Sequence, residues 1–163
     1  MDNIDFNKLW TNFADTVSNH YIDFNGRVGR AQFWSYIAVS VAVQIVAVIV
    51  GRLTFNFIPT AVQLLLFLPS LGMLARRLQD TGRPGNWAIL LCIPALVMVL
   101  LNLLFWLSLT FLLFFATVSG LIGLLTLAGA AVIVYFCVQP GQPGANEYGP
   151  PPPAWSPNKV AAA

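Results

Sequence analysis

WAILLCIPALVMVLLNLLFWLSLTFLLFFATVSGLIGLLTLAGAAVIVYFCV, Trp87–Val138, contains no Asp, Glu, Lys or Arg. As one helix these residues would extend about 78 Å, at about 1.5 Å each, against a hydrocarbon core of about 30 Å. The stretch therefore reads as two membrane spans joined by a hairpin. No Gly or Pro marks the turn, so interface signals place it. Phe105, Trp106, Phe111, Phe114 and Phe115 cluster near the midpoint, with Ser108 and Thr110 among them. Trp favours the membrane boundary because its ring is apolar at one end and hydrogen-bonds at the other. The hairpin is expected near Leu107–Thr117.

Two further uncharged stretches lie upstream, Ala31–Gly51 and Leu53–Ala75, with Arg52 at the turn between them. Of the 163 residues 58% are hydrophobic and 9% charged, and the mean hydropathy is +0.75. Soluble domains carry about 25% charged residues, so a water-soluble globule is excluded. So are a disordered chain, a collagen and a secreted disulfide scaffold. The expected fold is all-α: a four-helix transmembrane bundle over 27–138, with spans at about 32–51, 55–75, 87–106 and 118–138.

Four spans put both termini and the central loop on one side. That side carries Lys8, Arg27, Arg30, Arg76, Arg77, Arg83 and Lys159, whereas the other carries Arg52 alone. By the positive-inside rule the termini of this multi-pass protein should be cytoplasmic. Three spans would split the basic residues between sides. Met1–Gly26 lacks the basic start and apolar run of a cleaved signal peptide.

Residues 1–26 read as an amphipathic cytoplasmic or interfacial helix. Phe6, Leu9, Trp10, Phe13, Val17 and Tyr21 recur at spacings of three and four, and Asp2 or Asn3 is placed to cap it. Asp2, Asp5, Asp15 and Asp23 against Lys8 make it acidic, so it is no basic lipid anchor. Its apolar face should pack on the protein's own end or lie shallowly in the interface. Asn25-Gly26 then turns the chain into the first span. Residues 139–163 are rich in Gly and Pro, including Pro150–Pro153, and read as a flexible cytoplasmic tail. Cys92, Cys137 and the single His20 have no metal-ligand spacing, so no metal or cofactor is expected.

Leu68–Trp87, LPSLGMLARRLQDTGRPGNW, holds the most chemistry. Arg76 and Arg77 precede Asp80 by four and three residues, so both reach it on a helix surface. Gly82 suits a left-handed helix stop, Pro84-Gly85 a turn, and Asn86 the cap of the next span. The plain reading is a helix–turn–helix whose basic residues anchor headgroups. The functional reading is a phosphate or carboxylate site built from arginine forks and a helix N-terminus. Asp80-Thr81-Gly82 also spells the aspartic-protease tripeptide. That chemistry needs two carboxylates sharing a proton, and one acid beside two arginines does not supply them.

Three blocks, GRVGRAQFW (Gly26–Trp34), LPSL…RRLQDTGRPGNW and GANEYGPPP (Gly144–Pro152), resemble in order the signature blocks of the YhaH-type bacterial inner-membrane family, a domain of unknown function. The resemblance covers nearly the whole chain and implies a four-span membrane protein without a catalytic assignment. It carries over Gly26, Arg27, Arg30, Phe33 and Trp34 in the first block. In the second it carries Leu68, Pro69, Arg76, Arg77, Leu78, Asp80, Gly82, Arg83, Gly85 and Trp87. In the third it carries Gly144, Asn146, Tyr148, Gly149 and Pro150. One departure is Gln79, where the family usually has His, so no imidazole titrates there.

In this topology all three blocks lie at one membrane surface. They are expected to meet in a cluster, with Arg27, Arg30, Arg76, Arg77 and Arg83 facing Asp80, Asp23 and the Asn146–Gly149 turn. Such a cluster serves either as an internal ion-pair network or as a site for anionic headgroups, at roughly 1 kcal/mol per basic residue. Within the spans the polar residues are Gln44, Asn56, Gln63, Ser70, Asn102, Ser119 and Thr126, none ionisable. They suit interhelical hydrogen bonds better than a coupled-transport pathway. Ala116, Ser119, Gly120, Gly123 and Ala130 offer a small-residue face on the last span, for bundle packing or a second protomer.

The expected function is that of a non-enzymatic membrane protein acting through lipid or protein contacts at its basic cytoplasmic face. Its expected partners are anionic membrane lipids, a second copy or another membrane protein, and no nucleic acid. The alternative is a small oligomeric transporter or pore. An enzyme is disfavoured, because no nucleophile, metal set or paired acids are visible.

Overall fold

The computed structural model describes residues 4–55, 57–89 and 112–155. Among them are four α-helices: α1 (Phe6–Asn19), α2 (Arg30–Leu53), α3 (Ile58–Asp80) and α4 (Leu112–Val138), with a short 3-10 helix at Gly85–Ala88. Three of these, α2, α3 and α4, contain segments long and apolar enough to cross a membrane. Most of the expected third span and residues 107–111 of the expected hairpin lie outside the described residues. Residues 112–117 of that hairpin are helical, so α4 starts six residues before the expected 118.

The chain forms two compact units, Met1–Gly85 with Pro140–Ala163, and Asn86–Gln139. In the second, α4 carries Phe136, whose ring lies 5.8 Å from that of Trp87 and 5.5 Å from that of Tyr135. The α2–α3 hairpin, α1 and the site described below belong to the first unit.

Helices α2 and α3 form an antiparallel hairpin. Three contacts fix its register. Gln44 Nε2 donates to Pro59 O at 3.1 Å, Tyr36 and Ser70 share a hydroxyl bond of 3.0 Å, and Val28 N donates to Arg76 O at 3.3 Å. As the chain retreats along α2 it advances along α3. The start of α2 and the end of α3 therefore share one end of the hairpin, and Arg52 lies at the other. Tyr36, Met73 and Leu78 are fully buried between the elements. Gln44 and Ser70 meet polar groups of the neighbouring helix, as suits polar side chains in an apolar layer.

Helix α1 is shorter than its apolar periodicity suggests. Asp5, not Asp2 or Asn3, is the N-cap, and its carboxylate accepts from Asn7 N at 3.0 Å. The helix lies against α2 and α3 and does not stand free. Phe13 stacks on Tyr36 with ring centroids 5.7 Å apart, and Asn12 Nδ2 donates to Gln32 O at 3.0 Å. Just past the helix, Tyr21 OH donates to Leu65 O at 2.8 Å. Leu9 and Val17 on its apolar face are half-buried, whereas Phe6 is 77% exposed and Trp10 57%.

Helix α3 continues five residues beyond the expected end of its span at Ala75. That extension sets Arg76, Arg77 and Asp80 on the helix and not in a loop. It stops in a Schellman turn, with Gly82 N donating to Gln79 O at 3.1 Å and Arg83 N to Leu78 O at 3.0 Å. Gly82 has φ +76°, the left-handed conformation that L side chains avoid. Gly82→Ala is expected to cost about 1–2 kcal/mol, read as a lower thermal midpoint of the detergent-solubilised protein.

Candidate functional site: a buried arginine–aspartate latch

Asp80 is the centre of the site. Its position in the last turn of α3 aims its carboxylate away from the helix, toward residues brought in from both ends of the chain. Arg27 enters from the segment before α2, and its Nε and Nη2 both lie 3.0 Å from Asp80 Oδ1. Arg77, three residues earlier on α3, donates from Nη1 to Oδ2. Each carboxylate oxygen thus takes its own guanidinium. All three side chains are almost completely buried, with exposures of 1% for Arg27, 0% for Arg77 and 3% for Asp80.

The C-terminal segment completes the arrangement. Arg27 Nη1 donates to Gly144 O at 2.6 Å and Gly149 O at 3.3 Å, and Nη2 donates to Gln142 O. Gln142 N donates in turn to Asp80 O at 2.8 Å. A guanidinium has donors pointing in several directions in one plane. Arg27 uses them to tie α3 to the tail. A Cβ built on Gly141 would fall 2.6 Å from Asp80 Cγ, so only glycine lets the tail backbone pass over this carboxylate.

Asn146 and Gly149 close a tight turn, each donating its N–H to the other's carbonyl at 3.0 Å. Asn146 Oδ1 accepts from Tyr148 N at 2.9 Å, and its Nδ2 donates to Gln79 O at 3.0 Å and Gln142 Oε1 at 2.9 Å. The segment Gln142–Gly149 is therefore docked. The expectation of a flexible, solvated tail over 139–163 does not describe it. Backbone carbonyls that water would otherwise satisfy find a charged donor here, and such bonds contribute about 1.5–3 kcal/mol each.

Arg76 turns away from Asp80. Its Nη1 lies 3.7 Å from Asp23 Oδ2, and its Nη2 lies 3.3 Å from Met73 Sδ. Asp23 also accepts from Asn25 N at 3.2 Å and bonds His20 Nδ1 at 3.0 Å. Burial alone pushes this carboxyl up, but the His20 bond, the Asn25 N–H and Arg76 outweigh it and hold its pKa below the usual aspartate range. The folded state therefore favours the charged form. The resulting stability is complete above the ordinary aspartate value and is lost as pH falls through the lower folded-state value. The thermal midpoint of Asp23→Asn should lie below that of the parent at neutral pH, and the gap should close on acidification.

The remaining predicted residues are spread around this centre. Arg77 Nη1 also donates to Val28 O at 3.3 Å, and Arg83 Nη1 to Thr81 O at 3.3 Å. Arg30 opens α2 and is exposed. Gly26 turns the chain with φ +95°, and Gly85 begins the 3-10 helix. Trp34 packs edge-on to Phe33 at 5.3 Å, and Pro69 is buried inside α3. Trp87 lies in the other unit. Sequence reasoning passed over Gln142, Gly141 and Val28. Val28 and Gly141 act through backbone atoms or the lack of a side chain. Gln142 ties to Arg27 and Asp80 through its backbone, although its Oε1 also accepts from Asn146. A backbone role leaves no mark in residue chemistry. Gln79, noted only as a departure, donates from Nε2 to Phe24 O at 3.0 Å, while its buried Oε1 has no hydrogen-bond partner in the described structure.

Long apolar helices, with a buried polar latch at one end of their hairpin, define a multi-pass membrane protein. Residues 21–150 match a family described as a protein of unknown function (DUF805), and the chain belongs to that family. It is 28% identical over 141 residues to inner membrane protein YhaI of Escherichia coli K12, covering 84% of this chain and 92% of that one. To inner membrane protein YhaH of the same strain it is 27% identical over 143 residues, covering 83% and 92%. A shorter match, 32% over 80 residues, is to the uncharacterized protein YiiR, covering 48% and 55%. No solved structure matches the chain. The protein is a multi-pass bacterial inner-membrane protein of unknown function.

Proposed function

We propose that this protein is a non-enzymatic, four-span membrane protein with cytoplasmic termini that acts through lipid or protein contacts at its cytoplasmic rim. The observation that carries the reading is the use made of Asp80. Both carboxylate oxygens are taken by arginines, so the acid holds segments together and has no free oxygen for proton transfer. Buried as they are, Arg27 and Arg77 serve ion pairing and not headgroups, whereas Phe6 and Trp10 on α1 present an exposed apolar surface.

The orientation rests on charge. Lys8, Arg27, Arg30, Arg76, Arg77 and Arg83 belong to the segments gathered at or beside the latch end, and Arg52 belongs to the opposite end. The fourth span rests on the uncharged length of Trp87–Val138. Fluorescent-protein and alkaline-phosphatase fusions at Ala163 and at Arg52 test both. Fluorescence at Ala163 with phosphatase activity at Arg52 is expected, and the reverse pattern overturns the orientation. Native mass spectrometry from native membranes tests the function class. Co-purified lipid or a protein partner is expected, whereas a ring-like oligomer that conducts ions in planar bilayers would replace this reading with that of a pore.

A further inference from the structure

A groove of about 470 Å³ runs between α1 and α2, with Phe6, Leu9 and Trp10 on one wall and Ala38, Ala42 and Val46 on the other. That volume falls within the range of about 300–1,000 Å³ typical of small-molecule sites. Every side chain lining it is apolar. Ala38 and Ala42 are one turn apart, and their small side chains form the trough. The opposite wall is held in place, because Phe13 stacks on Tyr36 and Asn12 bonds Gln32 O. The groove is thus already formed in the folded chain.

Its depth decides what fills it. Ala38 and Val46 lie about 12 and 24 Å along α2 from Arg30, at about 1.5 Å per residue. Arg30 marks the charged end of a helix whose next 21 residues carry no charge. In a hydrocarbon core of about 30 Å, both alanines lie below the headgroups, where water has no polar partner. The molecules present at that depth in every part of the membrane are lipid chains. A polypeptide could enter only with its backbone bonds already satisfied, as a helix about 10–12 Å across. Two helices in contact leave a cleft between them better matched to a single flexible chain.

We propose that this groove is a binding site for one acyl chain of a membrane phospholipid, clamped between the aromatic face of α1 and the alanine trough of α2. The proposal rests on the lipid-contact reading above and names its site. By this account α1 holds a lipid against the first span, and the latch fixes the segment that joins the two helices.

The test fills the trough. Ala38 and Ala42 are both exposed, so Ala42→Phe and, independently, Ala38→Phe add bulk without displacing packed neighbours. The full-length protein is purified in mild detergent, incubated with phosphatidylethanolamine or phosphatidylglycerol, and weighed by native mass spectrometry. The parent chain should retain a lipid that both variants lose. A single-tryptophan form keeping Trp10, placed in vesicles of chain-brominated phosphatidylcholine, should show quenching of Trp10 that weakens in the Ala42→Phe background. Unchanged lipid retention and quenching in both variants overturns the groove while leaving a general lipid-contact role standing. If no lipid or partner is retained by any form, the broader reading fails as well. If filling the trough instead breaks an oligomer into monomers, the groove holds a second copy and the acyl-chain site is wrong.

Discussion

Asp80→Ala should lower the stability of the first unit by about 3–5 kcal/mol, the range measured when one partner of a buried ion pair is removed. The physical reason is the company Asp80 keeps. Arg27 and Arg77 are almost wholly buried, and without the carboxylate two positive charges face each other with no acid between them. Arg27 would keep the carbonyls of Gln142, Gly144 and Gly149, and Arg77 that of Val28, oxygens that carry only partial charge. Membrane-inserted protein should be degraded and recovered at low abundance, and what survives should unfold at a lower temperature. Asp80→Asn keeps the shape and deletes the charge, so it should lose nearly as much if charge is the cause. An unchanged midpoint in both variants would remove the latch as an element of stability.

Arg27→Lys should release the tail while the helices stay folded. Lysine keeps the charge but presents one compact ammonium in place of a planar fork. It cannot reach Asp80 Oδ1 and the carbonyls of Gln142, Gly144 and Gly149 at once. Losing one or two charged hydrogen bonds amounts to about 2–3 kcal/mol, or on the order of 30- to 150-fold in local opening. Hydrogen exchange at the amides of Gln142, Asn146 and Gly149, each hydrogen-bonded in the latch, should speed up by that factor. Amides in the middle of α2 and α3 should exchange as before. Equal acceleration everywhere would mean that Arg27 supports the whole unit and not the tail in particular.

Much of this architecture is legible in the chain itself. A bilayer core of fixed thickness sets the length of an apolar helix, so the runs 31–51 and 53–75 announce α2 and α3 without any tertiary knowledge. The pattern of apolar residues from Phe6 to Val17 announces α1 in the same way. The helix stop at Gly82 is equally local, because few other residues tolerate its φ. Arg77 lies one turn from Asp80, and helical geometry brings them together wherever the helix is placed.

Contacts between distant segments are not legible in this way. Arg76 and Arg77 are adjacent and chemically identical, and their spacing allows both to reach Asp80. Only the packing of the segment before α2 sends Arg76 to Asp23 and leaves Arg77 with Asp80. The Gly- and Pro-rich tail has the composition of a solvated linker, and composition reports average solvation. What docks it is a set of directed bonds from Arg27 to its backbone, possible only because α3 carries Asp80 to the same point and Gly141 leaves room there. The sequence by itself determined the medium, the helices and the end at which charge collects, because those follow from residue type and spacing. The tertiary structure decided that the collected charge turns inward and holds the chain's two ends together, because directional bonds between remote residues depend on where the backbone has been placed.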